Sequence, residues 1–178
     1  MEQLDIYDGY RNKTGKIVER RYPMKLNINE YYLCVRCWII NENNEILLIK
    51  RNMNKIHGGM WENIGGCVKS GETSKEAIKR EINEEIGINI DIKKLQLLKT
   101  QKETELFKDI YYIKMLIDKK KINIKQDEVE DFKFLKLKEL KMFVRDNKID
   151  VWTISSLDEL YNVLKEMGEK EINEKIFN

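Results

Sequence analysis

Residues 65–88, with the sequence GGCVKSGETSKEAIKREINEEIGI, contain more specific chemistry than any other part of the chain. Glycine, glutamate, arginine and isoleucine stand there at a fixed spacing, at Gly66, Glu72, Arg80, Glu81, Ile82, Glu84, Glu85, Gly87 and Ile88. From Thr73 onward the apolar residues follow a helical period, and Thr73 with Glu76 matches a capping box. Gly87 is the residue type that most often follows the last turn of a helix. The stretch therefore predicts a glycine turn followed by a helix that ends at Gly87.

Three glutamates share one flank of this predicted helix. At about 100° per residue, Glu81, Glu84 and Glu85 fall in one sector about 100° wide. Ala77 falls in the same sector and is predicted to leave room there. Like charges at this spacing disfavour a helix by ~0.2–0.5 kcal/mol per pair, so the flank requires a counter-charge. Because carboxylate oxygens are preferred ligands of Mg²⁺ and Mn²⁺, we predict a divalent-cation site, with a solvated acidic face as the alternative.

The neighbouring residues of the stretch have supporting roles in this prediction. Glu72 precedes the helix and Arg80 projects about 100° away from Glu81, so neither is well placed to bind the cation directly. We expect Arg80 to pair with Glu72 or a neighbouring carboxylate and so fix the loop against the helix, the alternative being a solvent-facing arginine. Gly65 and Gly66 permit a turn in which a backbone carbonyl approaches the cation.

The complete spacing resembles the motif of the Nudix hydrolases at every fixed position. The resemblance implies an α/β fold, an α/β/α sandwich with a mixed β-sheet that has the motif helix on one face and the carboxy-terminal helix on the other. It also implies metal-assisted attack of water on a diphosphate linked to another moiety, with Mg²⁺ or Mn²⁺ as cofactor. The catalytic and metal-binding residues implied within the motif are Gly65, Arg80, Glu81, Glu84 and Glu85.

Members of the family usually recruit a further carboxylate from outside the motif. The segment DEVEDFKFL, residues 127–135, resembles the late acidic strand of the family, so Glu128 is the expected additional ligand or base. Glu105, in a predicted polar loop at residues 101–109, is the second candidate and an expected substrate contact. Arg51, at the end of a predicted strand, resembles in placement an arginine that contacts phosphate. An exposed surface residue is the alternative for each of the three.

The rest of the chain predicts one domain with an amino-terminal arm. Its 178 residues suffice for a single core, with the arm at residues 1–28 and the main domain at residues 29–178. Residues 4–20 predict a small hairpin, and the last ten residues are expected to fray. Further strands are predicted at residues 31–40, 45–51, 88–92, 95–100, 110–117 and 128–136, and further helices at residues 137–144 and from residue 155.

Charge and cysteine content restrict the class of partner. With 33 basic and 31 acidic residues the net charge is only +2, so we expect a small-molecule diphosphate substrate rather than a nucleic acid polymer or a membrane. Three cysteines and the absence of a leader pattern predict a soluble cytoplasmic protein. A zinc site built from Cys34, Cys37, Cys67 and His57 is not expected, because the first two lie in an apolar strand pattern. The sequence is compatible with a homodimer.

Two other functions compete with hydrolysis. Residues 4–21 and 31–51 resemble the Nudix branch related to isopentenyl-diphosphate isomerase, which implies proton transfer without hydrolysis. The isomerases carry a catalytic cysteine in a segment similar to WTNxxCGHP, where this chain has WENIGGCVKSGE. Matching Trp61 and Asn63 places Gly66 opposite that cysteine, and Cys67 falls one residue late. Hydrolysis is therefore the leading prediction, ahead of isomerisation and of a Nudix-fold binding module without turnover.

Overall fold

A mixed β-sheet forms the centre of the molecule. The computed structural model describes residues 2–166. The strands are β1 (Gln3–Tyr7), β2 (Lys13–Glu19), β3 (Tyr32–Ile40), β4 (Ile46–Arg51), β5 (Trp61–Glu62), β6 (Ile64–Cys67), β7 (Gln96–Lys102), β8 (Leu106–Lys114) and β9 (Val129–Leu135). The α-helices are α1 (Ser74–Ile86), α2 (Leu137–Asp146), α3 (Val151–Ile154) and α4 (Leu157–Glu166). Short 3₁₀ turns lie at Ile92–Lys94 and Lys119–Lys121.

Strand β3 is the hub of this sheet. The main path runs β5-β4-β3-β8-β7, while β6 pairs with β3 and β9 pairs with β4. β3 and β8 are parallel, from Tyr32 opposite Leu106 to Ile40 opposite Lys114, and the other pairs are antiparallel. The predicted mixed sheet is confirmed.

Alternate residues of β3 supply two apolar cores on opposite faces of the sheet. Leu33, Val35, Cys37 and Ile39 join the buried face of α1, whereas Trp38 and Ile40 join α2 and α4. Such alternation is the period of two expected for a strand covered on both faces. Full burial of each large apolar side chain stabilises the fold by about 1.5–3 kcal/mol. The α/β/α sandwich, with α1 on one face and the carboxy-terminal helix on the other, is confirmed.

Helix α1 has both predicted ends. The Thr73 hydroxyl accepts a hydrogen bond from the Glu76 N–H, and the Glu76 carboxylate accepts one from the Thr73 N–H at 2.8 Å. Gly87 follows the last turn with φ of 71° and donates its N–H to the Asn83 carbonyl. A left-handed residue at this point favours glycine, which has no Cβ to clash. The capping box and the glycine terminus are both confirmed.

The amino-terminal hairpin arm is confirmed as a separate two-stranded sheet, β1 with β2. Tyr7 and Tyr31 exchange backbone hydrogen bonds of 2.7 and 2.9 Å, which attach the arm to the start of β3. The Asp5 carboxylate accepts hydrogen bonds from the Ser70 hydroxyl and the Gly71 N–H, at 2.7 and 3.1 Å. The arm therefore lies against the loop that precedes α1.

Two expectations about single elements are wrong, and one helix was missed. The polar loop predicted at residues 101–109 is a hairpin turn of residues 103–105 between β7 and β8, because Leu106 and Phe107 are buried in the sheet. The strand predicted at residues 88–92 is irregular chain leading into a 3₁₀ turn that Asp91 caps. Helix α3, capped by Asp150, was not predicted. The fraying expected for the last ten residues lies outside the described residues.

The described helices are short. The longest, α1, has 13 residues and carries charged side chains along one flank. Within residues 2–166, no helix has the length and apolarity needed to cross a membrane.

Candidate active site

The three glutamates of α1 differ in their exposure. The Glu84 side chain is 40% exposed and that of Glu81 is 12% exposed, while Glu85 is buried. Ala77, one turn earlier, is fully buried in the apolar core with Ile78 and Ile82. That Ala77 leaves room beside the carboxylates stays a prediction.

Arg80 ties the acidic flank to the loop before it. Its guanidinium donates to both oxygens of Glu72, with Nε at 2.7 Å and Nη2 at 3.0 Å. This confirms the predicted pairing. Nη1 also donates to Glu81 at 2.7 Å and to Glu84 at 3.2 Å, and Nη2 donates to the Cys67 carbonyl at 3.0 Å. The bonds to Glu81 and Glu84 also match the expectation that Arg80 pairs with a neighbouring carboxylate.

Gly66 lets strand β6 pass against the Glu81 carboxylate. A Cβ at position 66 would lie 2.1 Å from Glu81 Oε1, and a Cβ at Gly65 would lie 2.2 Å from the Val35 carbonyl oxygen. Both distances are shorter than a van der Waals contact. Gly65 meets backbone and so requires glycine for close approach, whereas at position 66 a Cβ would force the Glu81 carboxylate to move. That the Gly65 carbonyl binds a metal stays a prediction.

Glu85 has a buried carboxylate oxygen without a partner. Among the described residues, Oε2 of Glu85 finds no hydrogen-bond donor. Burial raises the pKa of this carboxyl well above its usual value, and repulsion from Glu62 and Glu81 raises it further. Burial likewise raises the pKa of Glu81 against the attraction of Arg80. An unsatisfied buried carboxylate oxygen costs free energy, and a bound cation would remove that cost.

Arg80 supplies the counter-charge in the structure as it stands. In the part of the chain that the structure describes, no three acidic, cysteine or histidine side chains converge on one point. Two of the three glutamates on this flank, Glu81 and Glu84, are instead bonded to the guanidinium. The donor set of carboxylate oxygens fits a hard divalent cation, whose charge would add to that of Arg80 on this flank.

A buried ion-pair network that the sequence did not predict lies beside Glu85. Glu62 accepts from Arg36 Nη1 at 2.7 Å and from Arg51 Nη1 at 2.9 Å, and Arg36 also donates to the Asn63 carbonyl at 2.9 Å. Burial opposes ionisation of Glu62, but the two guanidiniums hold its pKa below the usual value. The signal that could have revealed the network is Arg36 itself, a charge inside the apolar run LCVRCWII.

A shallow hollow of about 480 Å³ lies between the arm and the loop before α1, lined by Glu2, Gln3, Lys69 and Ser70. Lys69 Nζ lies 3.3 Å from a Glu2 oxygen and 3.7 Å from Glu84 Oε1. Lys69 therefore links the wall of the hollow to the exposed carboxylate of the acidic flank.

A family model described as the NUDIX domain matches residues 30–153. The chain belongs to the Nudix family. Residues 65–88 are thus the Nudix motif of this protein, and the ordered contacts of Arg80, Gly66 and Glu81 are contacts within that motif.

Relatives of this Nudix protein carry names from two reaction classes. An uncharacterized Nudix hydrolase of Listeria monocytogenes is 33% identical over 115 residues, 64% of this chain and 67% of the relative. The ADP-ribose pyrophosphatase of Methanocaldococcus jannaschii is 37% identical over 89 residues, 47% and 52% of the two chains. The isopentenyl-diphosphate delta-isomerase of Salmonella heidelberg is 36% identical over 82 residues, 45% of each. The chain thus spans only about half the length of the last two relatives.

Among solved structures, the Deinococcus radiodurans protein DR0079 has the same fold as this chain. The superposition has a TM-score of 0.71, covers 91% of this chain and 98% of that protein, and pairs residues that are 20% identical. At this identity the likeness shows a shared fold.

Outside the Nudix motif, the expected site residues have other partners. Arg51 donates to Glu62 and, through Nε, to the Ile56 carbonyl at 2.7 Å. Glu128 accepts from Lys55 at 2.6 Å; its segment reaches the end of α1, where the Lys125 N–H donates to the Glu85 carbonyl. Glu105 is exposed in the β7–β8 turn. The substrate and metal roles of these three residues stay predictions.

Proposed function

We propose that this Nudix protein is a Mg²⁺- or Mn²⁺-dependent hydrolase that cleaves a diphosphate linked to another moiety, namely a nucleoside diphosphate derivative. The observation that carries the proposal is the unpaired, buried Oε2 of Glu85 beside Glu81 on the acidic flank of α1. Stability alone does not explain a carboxylate in that position, since an apolar side chain would cost less to bury.

The acidic flank is the proposed cation site. Glu81, Glu84 and Glu85 would hold the ion, with the Gly65 carbonyl and Glu128 as the further proposed ligands. The bound cation supplies a water of lowered pKa and neutralises charge on the phosphates. Arg80 positions Glu81 and keeps the loop before α1 in place through Glu72.

The proposed substrate lies across the exposed side of Glu84. Lys69 lines the hollow and its Nζ lies 3.7 Å from Glu84 Oε1, so the Lys69 ammonium is a proposed phosphate contact. Arg51 and Glu105 are the other proposed contacts, Arg51 because its fixed guanidinium fork suits phosphate oxygens. The name of the M. jannaschii relative makes ADP-ribose the first compound to test.

A substrate panel with metal titration tests this function. The panel contains ADP-ribose, other nucleoside diphosphate derivatives and isopentenyl diphosphate, each with Mg²⁺, Mn²⁺ or EDTA, and phosphate products are measured. We expect metal-dependent hydrolysis that falls on the order of 10²-fold or more in Glu84→Gln and Glu85→Gln, since metal ligands contribute several kcal/mol to the transition state. Glu166→Gln, at an exposed glutamate of α4, is the matched control. Full activity in both motif variants would overturn the metal assignment.

Isomerisation of isopentenyl diphosphate is the second candidate, favoured by the 36% identity to the Salmonella isomerase. Against it, Cys67 is buried and its Sγ lies 3.4 Å from Cys34 Sγ. Conversion of isopentenyl diphosphate that is lost in Cys67→Ala would establish the isomerase. Binding of a panel compound without any product would instead establish a binding module.

A further inference from the structure

Two cysteine thiols face each other across paired strands. Cys34 of β3 is directly opposite Cys67 of β6 in the antiparallel register, and the two Sγ atoms are 3.4 Å apart. Both residues are free thiols and both are buried, with Cys67 retaining 8% exposure. Cys37 lies three residues further along β3 and packs in the core beside α1, on the other face of the sheet.

We propose that Cys34 and Cys67 form an oxidative modification site, a dithiol that a hydroperoxide converts into an intrachain disulfide. Directly opposed residues of antiparallel strands have Cα atoms about 4.5–5.5 Å apart, inside the range of about 4.4–6.8 Å that disulfides span. The two sulfurs must approach by about 1.4 Å to reach bonding distance, which side-chain rotation supplies without moving the strands.

The surroundings favour Cys67 as the sulfur that reacts first. It retains 8% exposure, against 3% for Cys34, so it is the more accessible of the two sulfurs to a peroxide. Arg20 is held nearby by Glu2, at 2.6 Å. A thiolate is the nucleophilic form of cysteine, and cysteines that react with peroxides lie beside positive charge and a second thiol.

The reaction balances with one peroxide for each bridge. The Cys67 thiolate attacks the O–O bond of hydrogen peroxide, which gives a sulfenic acid and, after protonation, one water. The Cys34 sulfur then attacks the sulfenic sulfur, the S–S bond forms and a second water leaves. The two thiols lose two electrons and two protons, and the peroxide is reduced to two waters.

The bridge would form next to the Nudix motif's own contacts. The Cys67 carbonyl accepts from Arg80, and the adjacent Gly66 lies against Glu81. The inference does not depend on the proposed hydrolysis, because the chemistry involves only the two thiols and the peroxide.

Thiol counting on the full chain tests the inference. The reduced protein is exposed to hydrogen peroxide, quenched with an alkylating reagent, denatured and analysed by peptide mass mapping. We expect the alkylated cysteines of the wild type to fall from three to one, with Cys34 linked to Cys67, and to return to three after dithiothreitol. Cys37→Ser, the matched control, should still form the bridge, whereas Cys34→Ser should instead trap Cys67 as a sulfenic acid that dimedone labels.

Two results would overturn the inference. One is a wild type that keeps three thiols at peroxide exposures that fully oxidise free cysteine in the same buffer. The other is a bridge that maps to Cys37 or joins two chains. The wild-type count needs no substitution, so a variant that fails to fold does not weaken the test.

Discussion

At the scale of single residues, position 66 shows how the site depends on a missing side chain. Strand β6 runs so close to α1 that Gly66 and the Glu81 carboxylate occupy neighbouring space. Glu81 is also bonded to Arg80 and has little exposed surface, so it cannot move aside and keep its partner.

Gly66→Ala should therefore reduce activity more than stability. The new Cβ would meet Glu81 Oε1 at 2.1 Å, so the carboxylate must shift from its present place in the proposed cation site. We expect at least about a tenfold loss of turnover and a loss of about 1–3 kcal/mol of folding free energy. Turnover and thermal unfolding are measured beside Gly9→Ala, where the Cβ meets the flexible end of Lys102 at 3.2 Å and the Tyr31 ring at an ordinary 3.9 Å. Unchanged turnover in Gly66→Ala contradicts the requirement for close approach.

Glu85→Gln should lower activity but raise the stability of the metal-free protein. Burial raises the pKa of Glu85 in the folded state, so its stability contribution is present below the unfolded pKa of 4.5 and lost as pH rises through the folded pKa. In EDTA, the wild type should lose stability as pH rises above about 4.5, and the variant should lose less, by on the order of 1 kcal/mol near neutrality. Denaturant unfolding at several pH values, with Glu166→Gln as control, measures this. Parallel pH profiles would contradict the raised pKa.

The residues that could be predicted from sequence are those whose partners are close along the chain. Arg80 and Glu72 are eight residues apart within one motif, and their pairing followed from that motif. Glu62 is 26 residues from Arg36 and was missed, because the two residues lie on strands that come together only in the folded sheet. A charge inside an apolar run, such as Arg36, indicates that a buried network exists, but its partners depend on tertiary contacts that one sequence does not give.

At the scale of elements, helix α1 carries its own start and stop signals. Thr73 and Glu76 satisfy each other's backbone donors, and Gly87 closes the last turn. These interactions span three or four residues, which is why both ends were predicted correctly. Strand β8 has no such local signal at its start. The residues before it, QKETE, are polar, so only the pairing of β8 within the sheet defines where the strand begins.

Thr73→Ala should destabilise the protein through the first turn of α1. Loss of the hydroxyl leaves the Glu76 N–H without its cap, at a typical cost of about 1 kcal/mol. We expect the thermal midpoint to fall by several degrees while the metal affinity changes little, because the acidic flank lies in the later turns. Thr104→Ala, in the exposed β7–β8 turn, is the control. Equal midpoints for the two variants would show that the cap contributes nothing.

At the scale of the whole molecule, the proposed metal couples to folding stability. The acidic flank exists only when α1 is packed on the sheet, so the unfolded chain offers no comparable site. A ligand that binds only the folded state stabilises it by mass action.

Mg²⁺ or Mn²⁺ should therefore raise the thermal midpoint without any substrate. At a concentration 100 times the dissociation constant, we expect a gain of about 2.7 kcal/mol in the wild type and much less in Glu84→Gln and Glu85→Gln. Thermal unfolding in metal and in EDTA measures the gain, and Glu166→Gln should respond as the wild type does. The same shift in all variants would place the metal elsewhere.

The parallel pairing of β3 with β8 sets the order in which the chain can assemble. Helix α1 forms from neighbours along the chain, whereas Cys34 of β3 pairs with the distant Cys67, and Tyr32 pairs only with the still later Leu106. Closing a loop over such a distance is slow, because its entropic cost is offset only once the paired strand makes its contacts. During synthesis, a ribosome that has released residues up to 100 has therefore made every motif residue but not the strand that completes the sheet beneath it. The motif residues are therefore synthesised early, but the sheet that holds them in place is completed only after β8 has been made.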